Sequence, residues 1–314
     1  MLYLFMALAP AFGADVVQGA NTAAMGGIGA AAANDNASIT LNPGLLGLVE
    51  RYDFHAHLRL GPNLNCPARE DCEGGSDRQW AATALDARTS KRFAAGFAYS
   101  GDRFSPPLRQ NELPGWKLPD EELGNRRRQD DFTLSLGVPF WERRMSLGLG
   151  LLYSRFNHDR DGSGSTADLH AGWGFRPVNA LTLGVGVRNF VPTNSVQDRP
   201  LSVVAGLRIT AADIVAVEAN LTSTSEPLAD SRWSFAAGAE AALGSSFRLR
   251  LGAVRDGPLA VTQLTTGLGI ATKRGGGLDY ALSIPLAGRD LRGNTLIHQF
   301  AIRFSAPEDI LEED

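Results

Sequence analysis

Few residues in this sequence have the types and spacing that chemistry requires. The chain contains five histidines, and His55 and His57 are the one pair separated by a single residue. On a β-strand this spacing places both imidazoles on one face, where they would bind a metal weakly or, as we favour, serve as inward polar groups. No serine elbow, metal-ligand cluster, phosphate-binding loop or pair of catalytic carboxylates stands out in the sequence. We therefore expect no enzyme, no bound metal and no cofactor.

The two cysteines, Cys66 and Cys72, lie six positions apart in a polar stretch between two strand-like segments. In an exported protein this spacing favours a local disulfide. Two free thiols are the second interpretation. A metal pair is the third, although the stretch has no histidine or further cysteine to complete a tetrahedral site. We expect Cys66 and Cys72 to form a disulfide.

Composition excludes several classes of protein. The chain has 314 residues, of which 20% are charged and 44% hydrophobic, and its net charge is −4. These values exclude a disordered protein and a basic nucleic-acid binder. The longest nearly apolar stretch, residues 1–14, is shorter than the roughly 20 residues that cross a bilayer as a helix. A helical membrane protein is therefore excluded, and the 35 glycines, many of them inside strand-like segments, are unusual for a globular core.

The N-terminus indicates export. Residues 1–13, MLYLFMALAPAFG, are similar to the apolar region of a secretory signal. Ala11 and Gly13 supply the small residues expected before a cleavage site, which places the cut at Ala14. A buried N-terminal strand or helix is the alternative interpretation.

From Asp53 onward, apolar residues alternate with small or polar ones. In one segment Leu147 and Leu149 oppose Ser146 and Gly148. Period two predicts strands with two different faces. Such segments lie at about residues 53–60, 78–87, 91–100, 130–138, 144–154, 166–175, 180–190, 200–210, 213–221, 232–242, 245–255, 261–271, 277–284 and 296–305.

The connections between these fourteen segments alternate in length. The even-numbered connections are tight turns, and the odd-numbered ones are long, with 256–260 as the short exception. The long connections are 61–77, 101–129, 155–165, 191–199, 222–231 and 285–295. An even number of strands, with tight turns at one end and long loops at the other, is typical of an outer-membrane barrel.

The two faces of the segments also differ in polarity. One face is apolar, as lipid contact requires, and the other holds small residues and scattered charges. In a sealed core each such charge would cost several kcal/mol, whereas water in a lumen can hydrate it. The inward polar residues are His55, His57, Arg59, Arg188, Arg208, Glu218, Glu240, Arg248, Arg250, Asp279 and Arg303. The sequence thus predicts an all-β protein, a fourteen-stranded antiparallel transmembrane β-barrel; a secreted sandwich or barrel with one face in water is the alternative.

Two charged stretches in the long connections have features of binding sites, one for calcium and one for phosphate groups. Residues 157–165, NHDRDGSGS, place Asp159 and Asp161 at a spacing found in calcium loops, but the remaining carboxylates are missing, so a solvated loop is favoured. Residues 126–128 are three arginines that follow three acidic residues at 120–122, so the local charge nearly cancels. A solvated loop is again the default, with contact to lipopolysaccharide phosphates as the alternative.

Residues 15–50 do not alternate and are rich in glycine and alanine. They contain, in order, Gly26, Gly27, an alanine run, Asp35, and Asn42, Pro43 and Gly44 followed by leucine. In these features the segment resembles the mature N-terminus of the FadL/TodX family of outer-membrane long-chain fatty acid and hydrocarbon transporters. The detailed match covers about residues 19–48, and the remainder of the chain matches in architecture.

The resemblance implies a barrel with an N-terminal hatch inside the lumen, located in the bacterial outer membrane. It implies passive uptake of hydrophobic small molecules, with outer-membrane lipid, lipopolysaccharide and the hydrophobic ligand as partners. The alternative is a non-transporting barrel that docks a periplasmic or secreted protein. The implied organisation is a signal peptide (1–13), a hatch (14–52), a barrel (53–305) and an acidic periplasmic tail (306–314).

Physical properties of the segment agree with a plug. Glycine and alanine allow close backbone packing in a narrow lumen, and Asn42 with Pro43 can end an extended stretch and start a helical turn. A flexible periplasmic leader is the alternative. If the segment fills the barrel, we expect Asp35 to lie within reach of a lumen arginine, with these candidates: Arg188, Arg208, Arg248 and Arg250.

Overall fold

The structure is a closed antiparallel β-barrel. The computed structural model describes residues 19–32, 35–63, 72–73, 75–105, 108–109, 127–158, 162–191, 200–212, 214–225, 232–257, 261–272, 275–287 and 296–306. Within these ranges fourteen strands form the barrel wall. Each strand pairs with its neighbours along the wall, and the first strand closes the barrel against the last, with His55 opposite Arg303. The predicted fold class and strand number are therefore confirmed.

The helices and strands have the following bounds. Ahead of the barrel come α1 (Ala20–Ala24), α2 (Ser38–Leu41) and a 3-10 helix (Pro43–Leu48). The barrel strands are β1 (Tyr52–Asn63), β3 (Gly75–Asp86), β4 (Ala94–Ser105), β6 (Arg127–Phe140), β7 (Met145–His158), β8 (Gly162–Val178), β9 (Leu181–Arg188), β10 (Ser202–Ala211), β11 (Val215–Thr224), β12 (Trp233–Leu243), β13 (Phe247–Asp256), β14 (Val261–Ala271), β15 (Gly276–Ala287) and β16 (Ile297–Ala306). Two short strands, β2 (Cys72–Glu73) and β5 (Leu108–Arg109), form a separate two-stranded sheet.

The strands present an apolar face outward and a small or polar face inward. On β7, Leu149 is 64% exposed on the outer surface, whereas Ser146 is completely buried on the inner face. The same alternation gives the outer wall large exposed side chains on nearly every strand, including Phe97, Leu136 and Phe300. Because successive side chains of a strand point to opposite faces, the sequence pattern alone determines which residues face inward.

Short turns cluster at one end of the barrel, where the N-terminal segment enters and β16 ends. The turns at 141–144, 179–180 and 244–246 have two to four residues. At the opposite end, the prediction of a long connection at residues 155–165 is wrong. β7 and β8 continue their pairing to His158 and Gly162, which leaves three residues between the strands. A polar Gly/Ser sequence indicated a loop, but this hairpin remains paired. Of the suggested calcium loop, residues 159–161 lie outside the described ranges.

The core of the protein lies inside the barrel. Ile28, Ile39, Leu45 and Leu46, all N-terminal to the first strand, are among the most completely buried large side chains. No helix in the described residues is long and apolar enough to cross a membrane.

Candidate functional site

The candidate site is the barrel lumen together with residues 19–32 and 35–48, hereafter the lumen segment. The segment lies against inward-facing glycines of the wall. A Cβ added at Gly184 of β9 would overlap the carbonyl oxygen of Ala30, and one at Gly148 of β7 would overlap the backbone of Pro43. The wall can approach the segment this closely because those positions lack a side chain. The lumen contact thus explains glycines that would otherwise weaken a strand.

Asn42 is the central polar residue of the lumen segment, and it is completely buried. Its side-chain oxygen accepts a hydrogen bond from the Gly44 N–H (3.1 Å) and caps the 3-10 helix. Its side-chain nitrogen donates to the carbonyls of Ala30 (2.9 Å) and Trp173 of β8 (3.1 Å). Asn42 therefore joins both halves of the segment to the wall. A Cβ at Gly44 would overlap the backbone of Gly172, so the close approach to β8 accounts for glycine at that position.

Asp35 has different partners from those suggested by the sequence. It accepts hydrogen bonds from the Thr22 hydroxyl and from the Ala37 N–H, the latter at 2.8 Å. Within the described residues it forms no ion pair with the four arginines proposed for it, which are Arg188, Arg208, Arg248 and Arg250. The physical reason is local, because an aspartate readily bonds the backbone two residues later and so closes a turn before a helix.

Gly26 and Gly27 form the turn that follows α1. Their φ angles are +90° and +74°, in the left-handed region that favours glycine. The N–H of Gly26 donates to the carbonyl of Ala23 at 3.1 Å, and that of Gly27 donates to the carbonyl of Thr22 at 3.0 Å. This turn lies against β12 and β13, where a Cβ at Gly26 would meet the carbonyl oxygen of Ala253.

Several inward charged residues form a chain of ion pairs across the wall, which we call the ion-pair belt. Arg208 pairs with Glu218 at 3.1 Å, and Arg250 pairs with Glu240 and with Asp279, both at 2.6 Å. Arg303 extends the belt to Asp279 at 3.6 Å. The belt crosses β14 at Gly269, where a Cβ would overlap the Asp279 carboxylate. Burial of charges without partners is costly, so these pairs allow the wall to carry them.

The other inward residues suggested by the sequence lie outside the belt. His55 contacts Asp53 at 3.1 Å, and among the residues that the structure describes, both buried ring nitrogens of His57 have no hydrogen-bond partner. Arg59 is half-buried farther along the same strand. Arg188 donates to the Ser202 hydroxyl at 3.2 Å. Within the described residues, no group of three or more potential metal ligands surrounds the two histidines.

Arg143 is a contact that the sequence did not reveal. It lies in the four-residue turn between β6 and β7, in a sequence, WERR, that reads as an exposed turn. Its guanidinium donates to the carbonyls of Gly47 and Val49, each at 3.2 Å. It also donates to the carbonyls of Ala87 and Ser90 in the turn between β3 and β4. Arg143 thus clamps the C-terminal end of the lumen segment to two turns of the barrel.

A polar cavity of about 440 Å³ lies beneath the lumen segment, near the end of the barrel that carries the short turns. Asn21, Thr22 and Asp35 line it from the segment, and residues of β8 to β13 and of β16 line it from the wall. As for the suggested disulfide, Cys66 lies outside the described residues, and Cys72 begins the short strand β2.

Comparison with known proteins shows the fold. No protein-family model and no curated protein sequence matches this chain. The toluene transporter TbuX of Ralstonia pickettii superposes with a TM-score of 0.66 over 92% of this chain and 97% of that chain, at 14% identity. A FadL homologue of Pseudomonas aeruginosa gives 0.67 over 93% and 99%, at 12% identity. The monoaromatic hydrocarbon channel CymD gives 0.62 over 92% and 97%, at 14% identity. The resemblance noted in the sequence is therefore confirmed at the level of the fold.

Proposed function

We propose that this chain is a bacterial outer-membrane protein that admits hydrophobic small molecules, of the fatty acid or hydrocarbon class, by passive diffusion. The exposed apolar outer wall supports insertion among outer-membrane lipids, with lipopolysaccharide around the longer connections. Chains described as a toluene transporter and a monoaromatic hydrocarbon channel have this fold.

The observation that carries the proposal is the occupied lumen. Residues 14–52 act as a hatch, and this role is supported by the packing of their described part on glycines of the barrel wall. A solute passes when the hatch shifts. The hatch is held by separable contacts, including Asn42 to β8 and Arg143 to residues 47 and 49. Breaking these contacts moves the segment without unfolding the strands, which pair with one another.

The polarity of the lumen favours a second candidate function. The ion-pair belt and the polar cavity offer little apolar surface to a hydrophobic solute. A non-transporting barrel, which docks a periplasmic or secreted protein through its loops or acidic tail, would need no apolar path. The two functions differ in whether the protein raises the flux of a hydrophobic compound.

Uptake by intact cells distinguishes the two candidates. Cells without other transporters of this kind would express the full chain, and a heat-dependent shift on SDS gels would verify the folded barrel. We expect faster entry of radiolabelled toluene or oleate than in cells with an empty vector. Entry at the vector rate, with a folded barrel in the outer membrane, would reject the transport function and favour the docking barrel.

A further inference from the structure

The polar cavity beneath the lumen segment carries an excess of positive charge. Its lining includes five arginines against three carboxylates; the arginines are Arg176, Arg208, Arg248, Arg250 and Arg303, and the carboxylates are Asp35, Glu218 and Glu240. We call this cavity the arginine vestibule. Asp279 is not part of this lining, but it forms ion pairs with Arg250 at 2.6 Å and with Arg303 at 3.6 Å. Even when it is counted, the cations remain in excess.

The carboxylates of the vestibule are already satisfied. Glu218 accepts from Arg208 at 3.1 Å, and Glu240 accepts from Arg250 at 2.6 Å. Asp35 accepts from Thr22 and from the Ala37 backbone. Arg208 and Arg250 are therefore committed to Glu218 and Glu240, and the excess positive charge belongs to the other arginines.

Arg176 and Arg248 supply that excess. Within the described residues, the Arg176 guanidinium has no carboxylate partner, and its buried Nε has no hydrogen-bond partner. Its charged neighbours, Arg51 and Arg208, carry the same sign. Arg248 donates to the carbonyls of Gly244 (3.5 Å) and Phe247 (3.2 Å), which carry no charge. Within the described residues, two guanidinium groups thus line one cavity without an ion-pair partner.

The local backbone of β8 adds a second, independent feature. Pairing between β8 and β9 is irregular between Phe175 and Val178, which is the stretch that contains Arg176. Such irregularities redirect side chains and are frequent at binding sites. The backbone N–H of Arg176 donates a hydrogen bond to the carbonyl of Arg144 at 2.7 Å, and this bond fixes the backbone from which the Arg176 side chain extends.

We propose that the arginine vestibule binds a small anion through a carboxylate or phosphate group, held by Arg176 and Arg248. Guanidinium groups recognise both oxyanions through paired, charge-assisted hydrogen bonds. Asn21, Thr182 and Thr210 also line the cavity and offer amide and hydroxyl groups to a polar ligand. A volume of about 440 Å³ accommodates a small organic anion. Anion binding at this site goes beyond the uptake of hydrophobic molecules that we propose above.

Calorimetric titration of the full chain in neutral detergent tests the proposal. The probes are citrate, which carries carboxylates, and pyrophosphate, which carries phosphates, each at constant ionic strength set with sodium chloride. We expect saturable binding of at least one probe to a single site, and the preferred probe identifies the oxyanion. The double variant Arg176→Gln, Arg248→Gln should bind it roughly tenfold more weakly or worse, because two charge-assisted contacts are lost.

Arg255→Gln is the matched control, since it removes one charge from an exposed arginine at the other end of β13. It should leave binding unchanged. Should the double variant fail the heat-shift test for folding, Arg176→Lys provides the same comparison with the charge retained, and its affinity should fall through loss of the paired contacts. Saturable binding of neither probe, or equal binding by the double variant, would overturn the proposal.

Discussion

Arg143 is the contact whose removal should loosen the lumen segment most selectively. The side chain is 16% exposed and lies in a turn outside the barrel wall. Arg143→Ala removes donors to the carbonyls of Gly47 and Val49, and to those of Ala87 and Ser90 in the turn between β3 and β4, but it breaks no strand pair. The perturbation therefore acts on docking of the segment and leaves barrel closure unaffected.

The magnitude follows from the contacts that are lost. Each of the two hydrogen bonds from the guanidinium to the segment contributes about 1 to 2 kcal/mol, because the donor is charged and the acceptors are neutral carbonyls. The ion pair with Glu50 at 2.6 Å adds little, since that carboxylate is 51% exposed and water screens it. The docked state should lose about 2 to 4 kcal/mol in total. This corresponds to a population of undocked segment that rises by about 30-fold to 1,000-fold.

Amide hydrogen exchange, read by mass spectrometry on peptides from residues 38–50, measures this population. The N–H groups of Asn42 and Leu45 are protected by hydrogen bonds within the segment. Their exchange should accelerate in Arg143→Ala, while exchange of the barrel strands stays unchanged. Arg144→Ala is the matched control, because this adjacent arginine donates to Pro177 rather than to the segment. Equal exchange in the two variants would refute the clamp.

Three further predictions concern the wall, the segment and the first long connection. Asn42→Ala removes three hydrogen bonds from a buried side chain and should raise ion conductance in planar bilayers, though less than deletion of the segment; unchanged conductance would argue against its anchoring role. Gly269→Val should lower the midpoint of thermal unfolding, because the new side chain separates buried Arg250 from the Asp279 carboxylate. Breaking such a buried ion pair costs about 3 to 5 kcal/mol. Gly276→Ala, which adds a methyl group in more open space, should leave the midpoint unchanged. Cys66 and Cys72 should react with an alkylating reagent only after reduction, and two reactive thiols in the native protein would exclude the disulfide.

The barrel was predictable because its signal is periodic. Alternation of leucine with serine or glycine along residues 145–151 fixes the two faces, and it requires no knowledge of neighbouring strands. Strand ends were less predictable. The sequence of residues 155–165 is polar and rich in glycine, yet most of it remains paired as an extended hairpin. Local composition does not reveal pairing that continues beyond the alternating region.

The contacts inside the lumen depend on register, which the sequence does not display. Arg250 reaches Asp279 across an intervening strand, and the position of Gly269 between them became evident from the structure. The sequence predicts that Asp35 lies near a lumen arginine, but its hydrogen-bond donors are the Ala37 N–H and the Thr22 hydroxyl of its own segment. Arg143 had no sequence signal, since an arginine in a tight turn ordinarily faces solvent. The residue types predict a polar lumen. The ion-pair and hydrogen-bond partners of each residue depend on how strands distant in sequence align in three dimensions, so the sequence does not show them.

We infer that the N-terminal segment closes the lumen, and deletion of residues 15–41 is the decisive test. The barrel should still fold, because its strands pair with one another and β1 closes against β16 without the segment. Single-channel recordings in planar bilayers would compare the deletion with the full chain, after the heat-dependent gel shift has shown that both are folded. We predict a clear rise in conductance in the deletion variant. Unchanged conductance of an inserted, folded deletion variant would show that the segment does not close the lumen.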